Sequence, residues 1–369
     1  MVKHWGILAV LLALWRVPAA ADAPRIVTDL VGRKVALPAR IERVACLVAT
    51  SYEKLLLLGQ GDKVVLAAPA DPLWSVRIDH HRPTLAAVAH SQSPNIEDLL
   101  LRKIDVIFYR NDPPKVDKMT AAGLTAVVSL AFGGQPGRKV DSVDAFVRIV
   151  KDEVRLYGEV LGGNAVQAAN DWIAYYDAKI NYVRGRIADI PLQQRPRVYG
   201  ALGPTSTRSY GQRENSLWYV EMAGGRMVTK ELTESGGIDV SMEQIMLWNP
   251  DMVFIGHTYS ADAVESYSTD MVTKDPRWKD IRAVRDGKVF VLPVGVDAWE
   301  NDSEGVLLME YLAKKFYPDR FADLDMVAEV KDYYARFYHY RLTDDEAQEI
   351  LGGATRLPTP QALPTRRKT

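Results

Sequence analysis

Cysteine is almost missing from this chain. One residue, Cys46, stands among 369, so no internal disulfide can staple the fold and stability must come from a packed core. Cys46 lies in the apolar run Arg43-Val44-Ala45-Cys46-Leu47-Val48 and reads as a buried strand residue rather than a catalytic thiol. An excess of either charge is missing too. Lys plus Arg number 46 against 47 for Asp plus Glu, a formal net charge of −1, which offers nothing to a nucleic acid. After the N-terminus no apolar run is long enough to span a bilayer, so no membrane insertion is expected. No nucleophile elbow, H-E-x-x-H pair or Walker loop occurs. Gly133-Gly134-Gln135-Pro136-Gly137 lacks the Lys and Ser/Thr of a phosphate loop and reads as a turn. His80-His81 reads as a solvated loop, because adjacent histidines often fail to face one ion.

What is present begins with a leader. Lys3 supplies a positive n-region, residues 6–15 form a short apolar run, and Val17-Pro18-Ala19-Ala20-Ala21 carries the small residues a signal peptidase reads. Cleavage is expected after Ala21, although Arg16 interrupts the approach to it. No Cys lies near the cut to carry a lipid. An exported, soluble protein is expected.

One segment is written twice. Residues 95–108 read N-I-E-D-L-L-L-R-K-I-D-V-I-F and residues 241–254 read S-M-E-Q-I-M-L-W-N-P-D-M-V-F. Aligned without a gap, Glu97 meets Glu243, Leu101 meets Leu247 and Asp105 meets Asp251. Each copy opens on a capping residue, Asn95 or Ser241, with its Glu in the first turn, where the helix dipole favours a carboxylate. Apolar turns, a polar corner and a short apolar strand follow. A recurring helix-corner-strand unit predicts two similar lobes with a ligand between them.

Residues 26–38 read as a small hairpin around Gly32. Strands are expected at 44–48, 64–67 and 125–130, with a helix at 52–58 capped by Ser51. The pattern then turns helical from 141, and Asn164 is expected to cap a long helix reaching about 187. Its apolar positions, from Val166 through Trp172, Tyr176, Ile180 and Val183 to Ile187, keep the spacing of one helix face. The second lobe starts at Arg197-Val198-Tyr199-Gly200 and ends in helices at 304–316 and 327–338. The fold class expected is α/β: two lobes with mainly parallel sheets joined by a long rigid helix. The divisions are a signal peptide at 1–21, an N-terminal lobe at 25–140, connecting helices at 141–188, a C-terminal lobe at 195–350 and a disordered tail at 355–369.

In their order and spacing these elements resemble the helical-backbone class of bacterial periplasmic substrate-binding proteins, which serve ABC importers of ferric siderophores, haem, cobalamin and related metal complexes. The resemblance covers about residues 25–340. It rests on Val27-Thr28-Asp29-Leu30-Val31-Gly32-Arg33, on the two Glu-bearing repeats with Pro250-Asp251, and on Asp275-Pro276-Arg277-Trp278 followed by residues 281–290. The stretch from Trp299 to Phe321, with Tyr317-Pro318, resembles a branch that includes binders of iron, nickel or molybdate species. The resemblance implies a periplasmic monomer, with an ABC permease and its ATPase as partners. It implies that Glu97 and Glu243 dock onto permease arginines, for which exposed carboxylates are charge-assisted partners. It implies little movement on binding.

In open parallel sheets ligands sit beyond the C-terminal ends of the strands. That rule selects Tyr52, Trp74, Tyr109 and Arg110 in the first lobe, and Arg208, Tyr210, His257, Tyr259 and Trp299 in the second. Guanidinium groups suit anionic oxygens and aromatic faces cover flat organic parts. His257 could also ligate a metal directly. No intrinsic cofactor is expected. The ligand expected is a metal complex, an iron complex of the ferric siderophore type first. Haem, cobalamin, a nickel chelate and a molybdate-type oxyanion are the alternatives, and an α/β enzyme using carboxylates, Tyr and His for acid-base work is the rival class.

Overall fold

The computed structural model describes residues 25–68, 78, 86–87, 94–129, 140–203, 205–211, 214–232, 236–256, 268–301 and 303–353. The expected leader and tail lie outside these residues.

A hairpin of β1 (Ile26–Thr28) and β2 (Lys34–Ala36) leads into the first sheet. That sheet contains β3 (Val44–Cys46), β4 (Val64–Ala67), β5 (Ala86–Ala87), β6 (Val106–Tyr109) and β7 (Ala126–Val128). All its pairings are parallel, in the order β5-β4-β3-β6-β7. Helices α1 (Ala49–Leu57), α2 (Ile96–Leu101) and α3 (Pro113–Ala121) connect the strands. Cys46 is a fully buried strand residue, as expected.

Two long helices follow, α4 (Val143–Leu161) and α5 (Asn164–Ile187). At 24 residues, α5 is roughly 36 Å long, about the diameter of a small domain. Its start corrects the expected cap. Gly163 holds the cap position with φ 55°, and Asn164 is the first helical residue. The break Gly162-Gly163 takes left-handed backbone that a glycine enters without steric cost, which moves the boundary one residue back.

The second sheet contains β8 (Arg197–Leu202), β9 (Arg208–Tyr210), β10 (Arg226–Met227), β11 (Gly237–Asp239), β12 (Met252–Gly256) and β13 (Val289–Val291). Here β10, β8, β12 and β13 pair in parallel. This repeats the order β4-β3-β6-β7 of the first sheet. The antiparallel strands β9 and β11 extend the edge. Residues 208–210, expected as a loop, are therefore a strand. Ser209 Oγ donates to the Gly200 carbonyl at 2.6 Å, a tie between neighbouring strands that no local pattern announces. Helices α6 (Asn215–Met222), α7 (Met242–Trp248), α8 (Gly305–Phe316), α9 (Met326–Phe337) and α10 (Asp344–Leu351) complete this lobe.

The written repeat is a structural repeat. Asn95 Oδ1 accepts the N–H groups of Glu97 and Asp98 at 2.9 and 3.2 Å, and Ser241 Oγ accepts that of Gln244 at 3.1 Å. Both helices end at a left-handed residue, Lys103 (φ 52°) or Asn249 (φ 41°). Both corners then close on an aspartate. Asp105 Oδ2 accepts the backbone N–H groups of Glu42 and Arg43, each at 2.8 Å, and Asp251 Oδ2 accepts that of Arg197 at 2.8 Å. Arg43 and Arg197 return their guanidinium groups to the carbonyls of Arg102 and Asn249 at 2.8 and 3.0 Å. Each corner thereby fixes the register of the central strand pair, Val44 opposite Val106 and Val198 opposite Met252.

Hydrogen bonds to a charged acceptor contribute about 1.5–3 kcal/mol each in favourable cases, less where water competes. Asp105→Ala and Asp251→Ala should therefore each lower unfolding stability by about 1–3 kcal/mol. Chemical denaturation checks this, and an unchanged midpoint for both would show that the corners do not hold the strands.

Candidate functional site

Strand ends from both sheets carry the residues expected to line the site. In the first lobe β6 delivers Tyr109 and Arg110, and β3 leads into α1. Tyr109 is fully buried, and the Arg110 guanidinium lies 6.0 Å from its ring centroid. Tyr52, on α1, is 2% exposed and packs in the main core with Val44, Leu55 and Tyr157. Tyr157, reaching in from α4, donates to Ser51 Oγ at 2.8 Å, and Ser129 Oγ lies 2.9 Å from the same hydroxyl.

In the second lobe Tyr210 donates to Glu300 Oε1 at 3.3 Å. Gly256, the last residue of β12, makes room for it: a Cβ there would lie 1.6 Å from the Tyr210 oxygen. Arg208 lays its guanidinium over Gly237 of the adjoining strand, within 2.8 Å of where a Cβ would stand. Trp299 is fully buried, edge-on to Tyr311 at a centroid distance of 6.5 Å. Trp74, His257 and Tyr259 lie outside the described residues. Among the described residues no group of three or more His, Cys, Asp or Glu is arranged to hold a metal.

The contact joining the lobes is made by a residue outside the expected set. Glu53 on α1 is 1% exposed and accepts a hydrogen bond from Tyr338 at 2.6 Å and another from Ser303, both from the far lobe. Lys54, equally buried, pairs with its other oxygen at 2.9 Å. Around them the segment after β13 brings three more buried acids, Asp297, Glu300 and Glu304. Glu304 Oε2 accepts the N–H groups of Val296 and Asp297 at 2.8 and 3.3 Å. Gly295 permits this approach, since a Cβ would come within 2.2 Å of the Glu304 carboxylate. Burial pushes the carboxyl groups of Asp297 and Glu304 well above the usual range, and the charge of Glu53 pushes the same way. Asp297 and Glu304 therefore keep their protons to higher pH than exposed carboxyl groups do. The sequence did carry a signal for this junction: Asp297, Glu300, Asp302 and Glu304 crowd into eight residues that lead into the apolar helix α8.

A periplasmic binding protein family model matches residues 44–294. The chain belongs to this family. A molybdate-binding protein of Haemophilus influenzae, MolA, is 29% identical over 359 residues, which is 92% of this chain and 98% of that relative. The solved structure of MolA bound to molybdate is 27% identical with a TM-score of 0.75, covering 86% of this chain and 99% of that one. A periplasmic solute-binding protein of Veillonella parvula, 24% identical with a TM-score of 0.71, covers 89% of this chain and 97% of its own. At that identity it shows the fold alone.

The binding protein is thus the solute-receptor component of an ABC transporter, in a family that works in the periplasm, and its relatives are not enzymes. The acid-base reading of the strand-end carboxylates is set aside. Among the described residues no helix is long and apolar enough to cross a membrane.

A pH dependence follows from the buried acids. Glu310 on α8 stands 3.2 Å from Lys179 of α5, and burial pushes its carboxyl up to about 7 from 4.5. Asp297 and Glu304 shift in the same direction. Between the two values the folded chain holds more protons than the unfolded one, so stability is full on the acid side and falls as pH rises through about 7. The thermal midpoint should decline from pH 5.5 to 8 at constant ionic strength, as checked by calorimetry, and Glu310→Gln should flatten part of the slope. A midpoint that rises over this window would contradict the protonated junction.

Proposed function

We propose that this binding protein captures a small oxyanion of the molybdate type between its lobes and delivers it to its permease. The observation that carries this reading is the similarity to the molybdate-binding MolA along nearly its whole length. The character of the strand ends supports it. Tyr109 and Trp299 are fully buried and present no open aromatic face, so they suit a small ligand better than the flat organic shell of a siderophore. Arg110 and Arg208 supply guanidinium forks for oxygen atoms. Release would follow the family's pattern, with Glu97 and Glu243 meeting cations of the permease.

The test is isothermal titration with molybdate, tungstate, sulfate, a ferric hydroxamate and a nickel-histidine complex. Molybdate should bind, at least tenfold more tightly than sulfate. Arg110→Ala should weaken it by about 10- to 100-fold, in keeping with a lost charged hydrogen bond. Heat from the ferric complex alone would restore the siderophore expected from the sequence.

Docking has a separate readout. Glu97→Lys with Glu243→Lys should leave the titration unchanged and abolish uptake in cells. Normal uptake would remove the docking role.

A further inference from the structure

Large apolar side chains that folding leaves in water are few, and they are not scattered. Among the described residues they are Ile26, Leu100, Leu101, Val166, Leu192, Met246 and Leu247. Four of these fall on two short helices, and they fall at matching places in the repeat. Leu100 (46% exposed) corresponds to Met246 (52%), and Leu101 (81%) corresponds to Leu247 (77%). The correspondence extends to the whole helix: residues 95–101 and 241–247 alternate between exposed, intermediate and buried in one identical order. Leu99 and Ile245 turn inward at the same step.

The two helices act as controls for each other. Asp98 in one stands against Gln244 in the other and the exposed caps differ as Asn95 and Ser241, while the three exposed positions that follow the cap keep Glu, Leu or Met, and Leu. An α-helix places residues three and four apart on one face. Glu97 therefore shares a stripe with Leu100 and Leu101, as Glu243 does with Met246 and Leu247. None of the ion pairs among the described residues uses either Glu. A fully exposed Leu contributes nothing to a core, and a solvated helix face is served as well by Lys or Gln. A stripe of one carboxylate and two apolar groups, shown once per lobe, has the composition of a contact surface with a charged edge.

We propose that these two stripes are one docking motif displayed twice, and that apolar contact through Leu100–Leu101 and Met246–Leu247 carries much of the hold on the transporter. The inference rests on the delivery role proposed above. The partner that fits is a protein with two equivalent sockets, each pairing a guanidinium or ammonium group with an apolar rim. Leu101 and Leu247 sink into the rims while Glu97 and Glu243 fix the register. Charge sets the approach and apolar burial sets the residence time.

The experiment uses the full-length binding protein and its permease–ATPase assembly in lipid nanodiscs, with empty nanodiscs as control. Affinity is measured for the wild type, Leu101→Ser with Leu247→Ser, Leu101→Met with Leu247→Met, and Glu97→Lys with Glu243→Lys, each at low and high salt. The serine pair should lose about tenfold or more in affinity, by faster dissociation, as removal of central apolar contacts does. That loss should persist at high salt, where the penalty of the charge reversal shrinks. The methionine pair should bind like the wild type. All variants should keep the wild-type thermal midpoint and molybdate affinity. Wild-type transporter binding by the serine pair, with the charge reversal impaired, would overturn the apolar motif and leave the delivery role standing. A wild type that does not bind the assembly at all would overturn both. Loss of a self-associated dimer in the serine pair, or equal binding to empty nanodiscs, would assign the stripes to a second copy or to the bilayer and overturn the two-socket partner.

Discussion

Glu53 leaves water when the two lobes meet, and its carboxylate must find its partners across the boundary. An unpaired buried carboxylate is prohibitive, while a paired one is tolerable only in good geometry. Here Lys54 supplies the counter-charge from the same helix, and Ser303 and Tyr338 supply hydroxyl groups from the opposite lobe. Few relative positions of the lobes satisfy both hydroxyl contacts. A sideways shift by the length of one hydrogen bond would take Ser303 and Tyr338 from Glu53 Oε1, so the junction acts as a positional constraint more than as a source of affinity between lobes.

The connecting helix makes the same demand along its length. Trp172 donates to the Tyr333 hydroxyl at 3.0 Å and stacks on Tyr176 at 4.9 Å. One turn further, Lys179 reaches Glu310 and Glu329, and near the end Arg186 pairs with Asp323 at 2.7 Å. Lys151 ties α4 to Asp177 of α5 from the other side. Most surface pairs are weak singly, but Trp172 and Tyr333 are fully buried, and their bond belongs to the core. Tyr333 also lies 3.0 Å from Ser303 Oγ. The helix that joins the lobes and the junction that spaces them thus share side chains. Large hinge opening would have to break both, which favours small rearrangements at the cleft mouth over the closure of freely hinged lobes.

What could be read from residue order is what depends on near neighbours. The duplicated helix-corner-strand was visible because its caps, its dipole-favoured Glu and its Asp lie within a dozen residues, and the parallel sheets followed from alternating strands and helices. The inter-lobe junction was not visible. Nothing near Glu53 in the sequence announces Ser303 and Tyr338, which the fold brings to it from the far end of the chain. Strand β9 escaped for a related reason: Arg208-Ser209-Tyr210 is too short to show a period, and it is a strand because β8 and β11 flank it. Of the residues expected to line the cleft, Tyr52, Tyr109, Tyr210 and Trp299 are buried. An aromatic at a strand end looks the same in sequence whether it faces a ligand or plugs the sheet.

The repeat also separates two kinds of demand. Where the halves agree in detail, at the caps, the exposed stripe and the aspartate corner, the agreement lies on the outside of each lobe. Where they diverge, they do so at the strand ends: Tyr109-Arg110 stands at the end of one central strand and Ile255-Gly256 at the aligned positions of the other. A bound solute is a single object lying between the lobes and gives no reason for the two walls to match. A partner with two equivalent sockets does give such a reason, and only for the surfaces that enter them. Stability alone would preserve the buried Leu99 and Ile245 and the aspartate corners, but it places no demand on Leu101 and Leu247. Symmetry retained in water and lost at the strand ends is therefore what one lobe pair would show when its outer faces answer to a two-fold partner and its strand ends do not.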